Sequence, residues 1–495
     1  MQEQLKTALA LAAQGRNDEA EALLKSALAK NPASSPATGP VLYRLGIFAA
    51  KREDTGQAAE YFTRALAFAP AAPEILLSLA AIRLEQGDRA AARALAEKAD
   101  SQTRSPATLY RLGMLYRQAG DMELAGGAFD RALALAPDYV PAYYGLGSSG
   151  GFGTGSPHFS RLEKLAESAA RFSPEDRVAI CFTLGQAYLK RGDDAKAFEK
   201  LAEGNALKKS LLLPFDAVRF DAYIESAMRL FDKTAAQKLS GISEAASDRP
   251  VFIIGMPRSG STLADQILSS HPAAASLGES KFLRRCLPVY PNAEVPGLFS
   301  KGHPSITRAF MDNLLQNLGP AAAKYLSFSD GAGQGVRRLV DKMLFNFLWA
   351  GVIRLALPNA KIVHCTRDPL DIGLSLWQLT FASSMQWTYD MGDIARYYLA
   401  HQKLMAHWNA VFPGDIHEVN YETMVAQQEQ ETRKLVAACG LPWDDRCLDF
   451  HQSARMVKTS SAAQVRQPIY AGSAGKWRKY EKYLAPMISV LEHSA

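Results

Sequence analysis

The sequence predicts an α-helical solenoid followed by an α/β domain with a mainly parallel sheet. Three observations predict it. A helix–turn–helix pattern with a period of about 34 residues recurs through the first part of the chain. At Val251 the composition changes to a short apolar run that opens into a glycine-rich loop and then a helical pattern. Further on, the run Ala360 to Thr366 ends in Arg367 and again leads into a helical pattern. The expected boundaries are a solenoid over 1–211, a helical connector over 212–249 and the α/β domain over 250–495.

The repeat is clearest over Leu109–Pro137, with Leu112, Gly113, Tyr116, Gly120, Ala125, Phe129, Ala132 and Pro137 at its key positions. Leu45, Gly46, Ala58, Phe62, Ala65 and Pro70 form another unit. Gly15, Ala20, Leu24, Ala27 and Pro32 form the first, and Leu184, Gly185, Tyr188, Gly192 and Ala197 a late one. The unit between, with Leu79, Gly87, Ala92 and Ala99, is degenerate. The pattern resembles tetratricopeptide repeats. Small residues let paired helices approach closely, and each pair buries its apolar face only by stacking on neighbours. The glycine-rich stretch 148–158 reads as an interrupting loop. Such an array does no chemistry alone. Its groove implies a peptide or protein partner; the plainer role is to support the second domain or to drive dimerisation.

Composition narrows the class. Hydrophobic residues make up 48% and charged residues 21%, ordinary globular values that exclude a disordered or fibrous chain. No apolar run approaches the roughly 20 residues of a membrane span. Met1 to Gln4 leads into an alanine-rich helical pattern, without a basic segment followed by an apolar one. The expectation is a cytoplasmic protein with no membrane insertion. Five scattered cysteines with no C-x-x-C spacing read as reduced, buried thiols, and no metal site is expected. A net charge of +6 does not imply a nucleic-acid partner. The excess is local: Arg455, Lys458, Arg466, Lys476, Arg478, Lys479 and Lys482 face a single acid, Glu481. Such a patch is a solvated face, a nucleic-acid patch or a pocket for an anionic ligand.

The second half carries the chemistry. Val251-Phe252-Ile253-Ile254 reads as a buried parallel strand. Gly255-Met256-Pro257-Arg258-Ser259-Gly260-Ser261-Thr262 and a helical pattern follow. Strand, glycine loop and helix make a P-loop context, in which backbone N–H groups and the helix dipole favour a phosphate. The spacing of Gly255 and Gly260 is that of a nucleotide triphosphatase loop, but Ser261 stands where the lysine for β and γ phosphates would be. Arg258 is gained inside the turn. The loop suits one 5′-phosphoryl group rather than a polyphosphate.

Pro257 to Leu263, together with the Arg367…Ser375 pair after the second strand, resembles the cofactor motifs of sulfotransferases that use 3′-phosphoadenosine 5′-phosphosulfate (PAPS). The closest branch is the tyrosylprotein sulfotransferases, over roughly 250–485. The resemblance implies PAPS as co-substrate. It assigns Pro257, Arg258, Ser259, Gly260, Ser261 and Thr262 to the 5′-phosphosulfate, and Arg367 and Ser375 to the 3′-phosphate. Arg466 or Lys476 supplies a further charge there. Lys342, in Asp341-Lys342-Met343, matches a lysine on the transferring group, and Ser461 a serine near the sulfonate. The family's base is an acid: ungapped counting from Arg258 puts Glu279 there, whereas aligning the glycines puts Ser280 there. Glu279 is the only acid at that point, so the catalytic set reads Glu279, Arg258, Lys342 and Ser461.

The acceptor implied by the resemblance is a hydroxyl, with protein tyrosine first. A small phenol, carbohydrate or lipid head group remains open, as does the oligomeric state. Two other readings stand beside this one: a P-loop kinase-like enzyme, and a repeat-based scaffold with an inactive second domain. His364 is a rival base on the strand. Trp377, Trp387 and Tyr389 read as aromatic core ahead of the lining of an acceptor cleft, and Tyr421-Glu422 as a helix start.

Overall fold

A computed structural model of the chain describes all residues except 31–36, 150–151, 153–155, 240, 242, 244, 287–307, 332–334, 382–384, 454–463, 470 and 494–495. The chain divides into two compact units, Met1–Arg191 and Gly192–Ala495.

The first unit is helical throughout its described residues. Antiparallel pairs succeed one another: Gln2–Ala13 with Asn17–Lys30, Thr38–Lys51 with Thr55–Leu66, Pro73–Glu85 with Arg89–Gln102, and Pro106–Ala119 with Met122–Leu135. Val140–Ser148, Pro157–Glu167 and Pro174–Arg191 complete it. The repeat positions explain the packing. Ala20, Ala58 and Ala125 are fully buried, where a larger side chain would force the helices apart. Phe129 is wedged between two glycines: a Cβ on Gly113 or Gly145 would come within 2.5 Å of its ring. Asp54 and Asp88 cap the second helices of their pairs by accepting from Gln57 and Ala91 N–H. Within the glycine-rich stretch 148–158, residues 150–151 and 153–155 lie outside the described residues; Ser148 ends one helix and Pro157 starts the next.

The division of units falls earlier than the expected boundary after residue 211. The helix Asp194–Ser210 belongs to the second unit, because its apolar face packs there. Phe198 stacks on Tyr483 with ring centroids 4.0 Å apart and lies 5.7 Å from Trp377. The buried Asn205 donates to the Trp377 carbonyl at 2.9 Å. The expected connector is also part of this unit: Phe220, in the helix Ala217–Leu230, stacks on Tyr397 at 4.4 Å.

The second unit is built on five strands: β1 (Pro250–Gly255), β2 (Ala274–Gly278), β3 (Arg338–Asp341), β4 (Lys361–Thr366) and β5 (Ile416–Asn420). Their order is β2-β3-β1-β4-β5, and every pairing is parallel. Parallel strands need crossovers that cover both faces, which explains why β1 is buried at every residue. Val251, Ile253, Val340, Val363 and Val419 pack on one face against Leu263, Ile267 and Leu268 of the helix Ser261–Ser269 and Leu435 and Val436 of the helix Gln428–Ala438. On the other face Phe252 meets Tyr325 of the helix Leu318–Gly331, and His364 meets His401 of the helix Met391–Val411. Trp387 and Tyr397 stack at 4.0 Å beneath that layer, so Trp387 is core, as is Trp377.

Phe129→Ala should lower the unfolding free energy by about 3–5 kcal/mol, because neither flanking glycine has a side chain to fill the void. Urea denaturation of the full chain, followed by helical circular dichroism, reads that loss.

Candidate active site at the carboxyl edge of the sheet

Because the strands are parallel, their carboxyl ends lie along one edge, the usual place for a ligand in an open α/β sheet. Each strand delivers a candidate residue there. Glu279 follows β2, Lys342 follows β3, the phosphate loop follows β1, Arg367 follows β4 and Tyr421 follows β5.

The loop after β1 is tightly turned. Gly255, Arg258 and Gly260 have φ of 143°, 71° and 91°. A Cβ on Gly255 would stand 2.6 Å from the Cys365 carbonyl oxygen, and one on Gly260 would stand 2.6 Å from the Tyr421 ring. Arg258 has no such excuse for a positive φ, which costs an ordinary side chain about 1–2 kcal/mol. The helix Ser261–Ser269 begins at Gly260 without a side-chain cap, so the dipole at its start is left for an anion. Pro257, Ser259, Ser261 and Thr262 are buried around it. Ser259 Oγ is enclosed and makes no hydrogen bond among the described residues, which is what a hydroxyl waiting for a ligand oxygen would do.

Two arginines brace this loop. Arg258 Nε donates to Ser375 Oγ at 2.8 Å and Nη2 donates to Gln464 Oε1 at 3.0 Å. Arg367 lies with its guanidinium carbon 4.4 Å over the Tyr421 ring. Its Nη1 donates to the Arg258 carbonyl at 3.2 Å and its Nη2 donates to the Ser473 carbonyl. The Tyr421 hydroxyl bonds Ser473 Oγ. Arg367 therefore ties the phosphate loop to a C-terminal loop, and Tyr421 supplies the surface on which both rest. Beside them a pocket is lined by Leu263, Val425, Phe450, Val465 and Ile469 with Arg258, Thr262 and Arg367 at its polar side. That combination suits a flat apolar ring joined to a phosphate.

On the other side of the loop, Lys342 Nζ donates to Glu279 Oε1 at 2.6 Å. The two meet because Lys342 N–H bonds the Gly278 carbonyl at 2.9 Å across the ends of β3 and β2. The Lys342 side chain is 1% exposed, whereas that of Glu279 is 46% exposed. A buried ammonium thus points at a half-exposed carboxylate. Ser280, the alternative for the acidic position, is buried, and its Oγ accepts from Phe282 N–H at 3.1 Å. Ser280 stands just before the short helix Phe282–Cys286, engaged with its first residue.

The structure therefore gathers Pro257 to Thr262, Arg258, Arg367 and Ser375 at one place, and Glu279 with Lys342 on the neighbouring strand ends. Ser375 contacts Arg258. Arg466 ends the short turn Gln464–Arg466. Lys476 begins the short 3-10 helix Lys476–Tyr483; partial burial and then the positive charge of Lys479 push its ammonium below the ordinary value. Ser461 lies outside the described residues. His364 is not at the edge: it is buried within the sheet, its Nε2 3.3 Å from His401 Nε2, and burial pushes its pKa down to about 4. Tyr389 bonds the backbone of Phe381 through its hydroxyl and is core rather than cleft.

Four residues of the site went unnoticed as such in the sequence: Tyr421, Gln464, Ser473 and Asp371. Only Asp371 carried a signal, one helical turn beyond Arg367.

Comparison with known proteins bears on both units. Residues 250–445 match the sulfotransferase family, and residues 5–73 and 106–139 match tetratricopeptide repeats. An uncharacterised protein of Aquifex aeolicus (strain VF5) is 36% identical over 335 residues, 67% of this chain and 43% of that protein. Protein-tyrosine sulfotransferase A of Caenorhabditis elegans is 25% identical over 243 residues, 46% of this chain and 60% of the relative. The chain thus spans less than two thirds of the length of these relatives. The sulfotransferase domain of the Synechococcus PCC 7002 olefin synthase is 19% identical, with 51% of this chain and 97% of that structure covered and a TM-score of 0.37.

The buried histidine predicts a pH dependence. His364 has a folded pKa of about 4 against an unfolded value near 6.5, so the unfolded chain binds more protons between the two. Stability should be fully present above about pH 6.5 and fall as pH drops toward 4, by on the order of 3 kcal/mol from this group. Urea midpoints measured across that window should show the decline; His364→Gln should make it shallower without abolishing it, because burial and then His364 hold the neighbouring His401 well below the ordinary value as well.

Proposed function

We propose that this protein transfers a sulfuryl group from PAPS to an acceptor hydroxyl, with a protein tyrosine as the acceptor class; the match of residues 250–445 to the sulfotransferase family supports the reading. The observation that carries the reading is the pairing at one sheet edge of a lysine-less phosphate loop, braced by Arg367, with the Lys342–Glu279 ion pair on the neighbouring strand ends. The residues present fit a nucleotide of this kind. Ser259 Oγ is an unused buried donor, the helix start is uncapped, and the apolar pocket beside Arg258 and Arg367 suits an adenine.

When bound, PAPS supplies an activated sulfuryl group with a phosphate as its leaving group. The chain supplies position and charge. Arg258 and the loop N–H groups would hold the 5′ side, and Arg367 with Lys476 or Arg466 would hold the 3′ side. Lys342, already desolvated, offers a positive charge where oxygens gather charge during transfer. Glu279 accepts the proton of the acceptor hydroxyl at its exposed carboxylate. A phenol, with a pKa of about 10, gives up that proton far more readily than an alkyl alcohol. The repeats of the first unit serve to hold the acceptor protein or a partner that brings it. The family match and the repeats together support this division of labour.

Calorimetric titration without metal should show tight binding of 3′-phosphoadenosine 5′-phosphate and little response to ADP with Mg²⁺. Preference for Mg·ADP would overturn the reading in favour of a kinase-like enzyme. Arg367→Ala should weaken bisphosphate binding at least about tenfold, since its contacts are uniform binding energy. Glu279→Gln should cut turnover of a tyrosine peptide by roughly 10²–10⁴-fold with nucleotide affinity kept. Retained turnover would remove Glu279 from the role of base.

A further inference from the structure

Resting on that reading, we infer that Asp371 is a positioning residue for the 3′-phosphate side of the site: it holds the C-terminal loop in the shape that aims both Arg367 and Lys476. Asp371 lies in the first turn of the helix Pro369–Trp377 and is 2% exposed. Its carboxylate reaches the main chain of a distant segment. Oδ2 accepts the Gly475 N–H at 2.6 Å and Oδ1 accepts the Trp477 N–H at 3.0 Å. A buried carboxylate is stable only when hydrogen bonds to its charged form offset the lost hydration, and these two do so.

The same helix start adds a third tie. Asp368 caps Leu370 and Asp371 N–H with Oδ1 and accepts the Trp477 indole N–H at Oδ2, 3.1 Å away. Residues 475 and 477 are thereby fastened on both sides of Lys476, which sets the direction in which its side chain leaves the loop. Just upstream, Ser473 gives its carbonyl to Arg367 Nη2 and its hydroxyl to Tyr421. Arg367 Nη2 also lies 3.8 Å from Asp371 Oδ2. The orientation of the guanidinium therefore depends on where the loop is held, and Asp371 holds it. Asp371 itself is enclosed, its side chain 1% exposed; it acts through Ser473, Gly475 and Lys476.

The test is Asp371→Asn in the full chain. Asparagine keeps the shape but sets an amide N–H₂ against one of the two loop N–H groups. Calorimetry with 3′-phosphoadenosine 5′-phosphate and, separately, adenosine 5′-phosphate reads the effect. The bisphosphate should bind at least roughly tenfold more weakly while the monophosphate stays within about twofold, so the preference for a 3′-phosphate collapses. In turnover, the KM for PAPS should rise with kcat within about twofold. Equal weakening of both nucleotides, which a merely structural role produces, overturns the inference, as does unchanged bisphosphate affinity. If wild type shows no preference for the bisphosphate, the nucleotide reading itself fails. Should Asp371→Asn not fold, Trp477→Phe removes only the Asp368 tie. It should then lower the 3′-phosphate preference by about threefold, and no change there would equally overturn the inference.

Discussion

Parallel pairing of all five strands is the constraint on which the second unit depends. It forces each crossover to return over a face of the sheet, so both faces are covered and β1 is wholly buried. It also brings every strand's carboxyl end to one edge. The strand order then sorts the chemistry: Glu279 and Lys342 leave β2 and β3 on one side of the phosphate loop, and Arg367 and Tyr421 leave β4 and β5 on the other. Lys342 and Arg367 are two strand spacings apart at their origins, about 10 Å. A ligand that spans the loop meets fixed charge at both ends.

Within that frame, Arg367 is the point where separate segments join. Its two terminal nitrogens bond carbonyls of the phosphate loop and the C-terminal loop, and its face rests on Tyr421. Tyr421 in turn fills the space that the missing side chain of Gly260 leaves. The unfavourable φ of Arg258 persists because its carbonyl and its guanidinium are both held from outside the loop. Preorganisation of this kind places charge before a ligand arrives, which is where electrostatic catalysis gains its advantage.

The first unit follows a different logic. Its helices bury themselves pair by pair, with alanines and glycines setting the spacing and Phe129 filling the gap they leave. Its end illustrates the limit of repeat reading. The helix Asp194–Ser210 carries repeat-like spacing at Ala197, yet Phe198 and Asn205 pack in the second unit. The same apolar face serves either neighbour, and spacing alone does not say which one it meets.

The repeats, the buried strand before Gly255, the lysine-less loop and the Arg367–Ser375 pair were legible in the amino-acid sequence. Each is a local pattern: a helical period, a continuous apolar run, and glycines where side chains are excluded. The contact between Lys342 and Glu279 was not, because it joins residues 63 positions apart along the chain and depends on β3 lying beside β2. Nor were the partners of Arg258, Ser375 and Gln464, which lie 117 and 206 positions away along the chain. Asp371 meets residues 104 and 106 positions downstream. Local spacing determines which helices, strands and turns can form, since it governs torsion and nearest-neighbour burial. Which distant side chains then share a hydrogen bond depends on the path of the chain between them, and only the tertiary structure decides that.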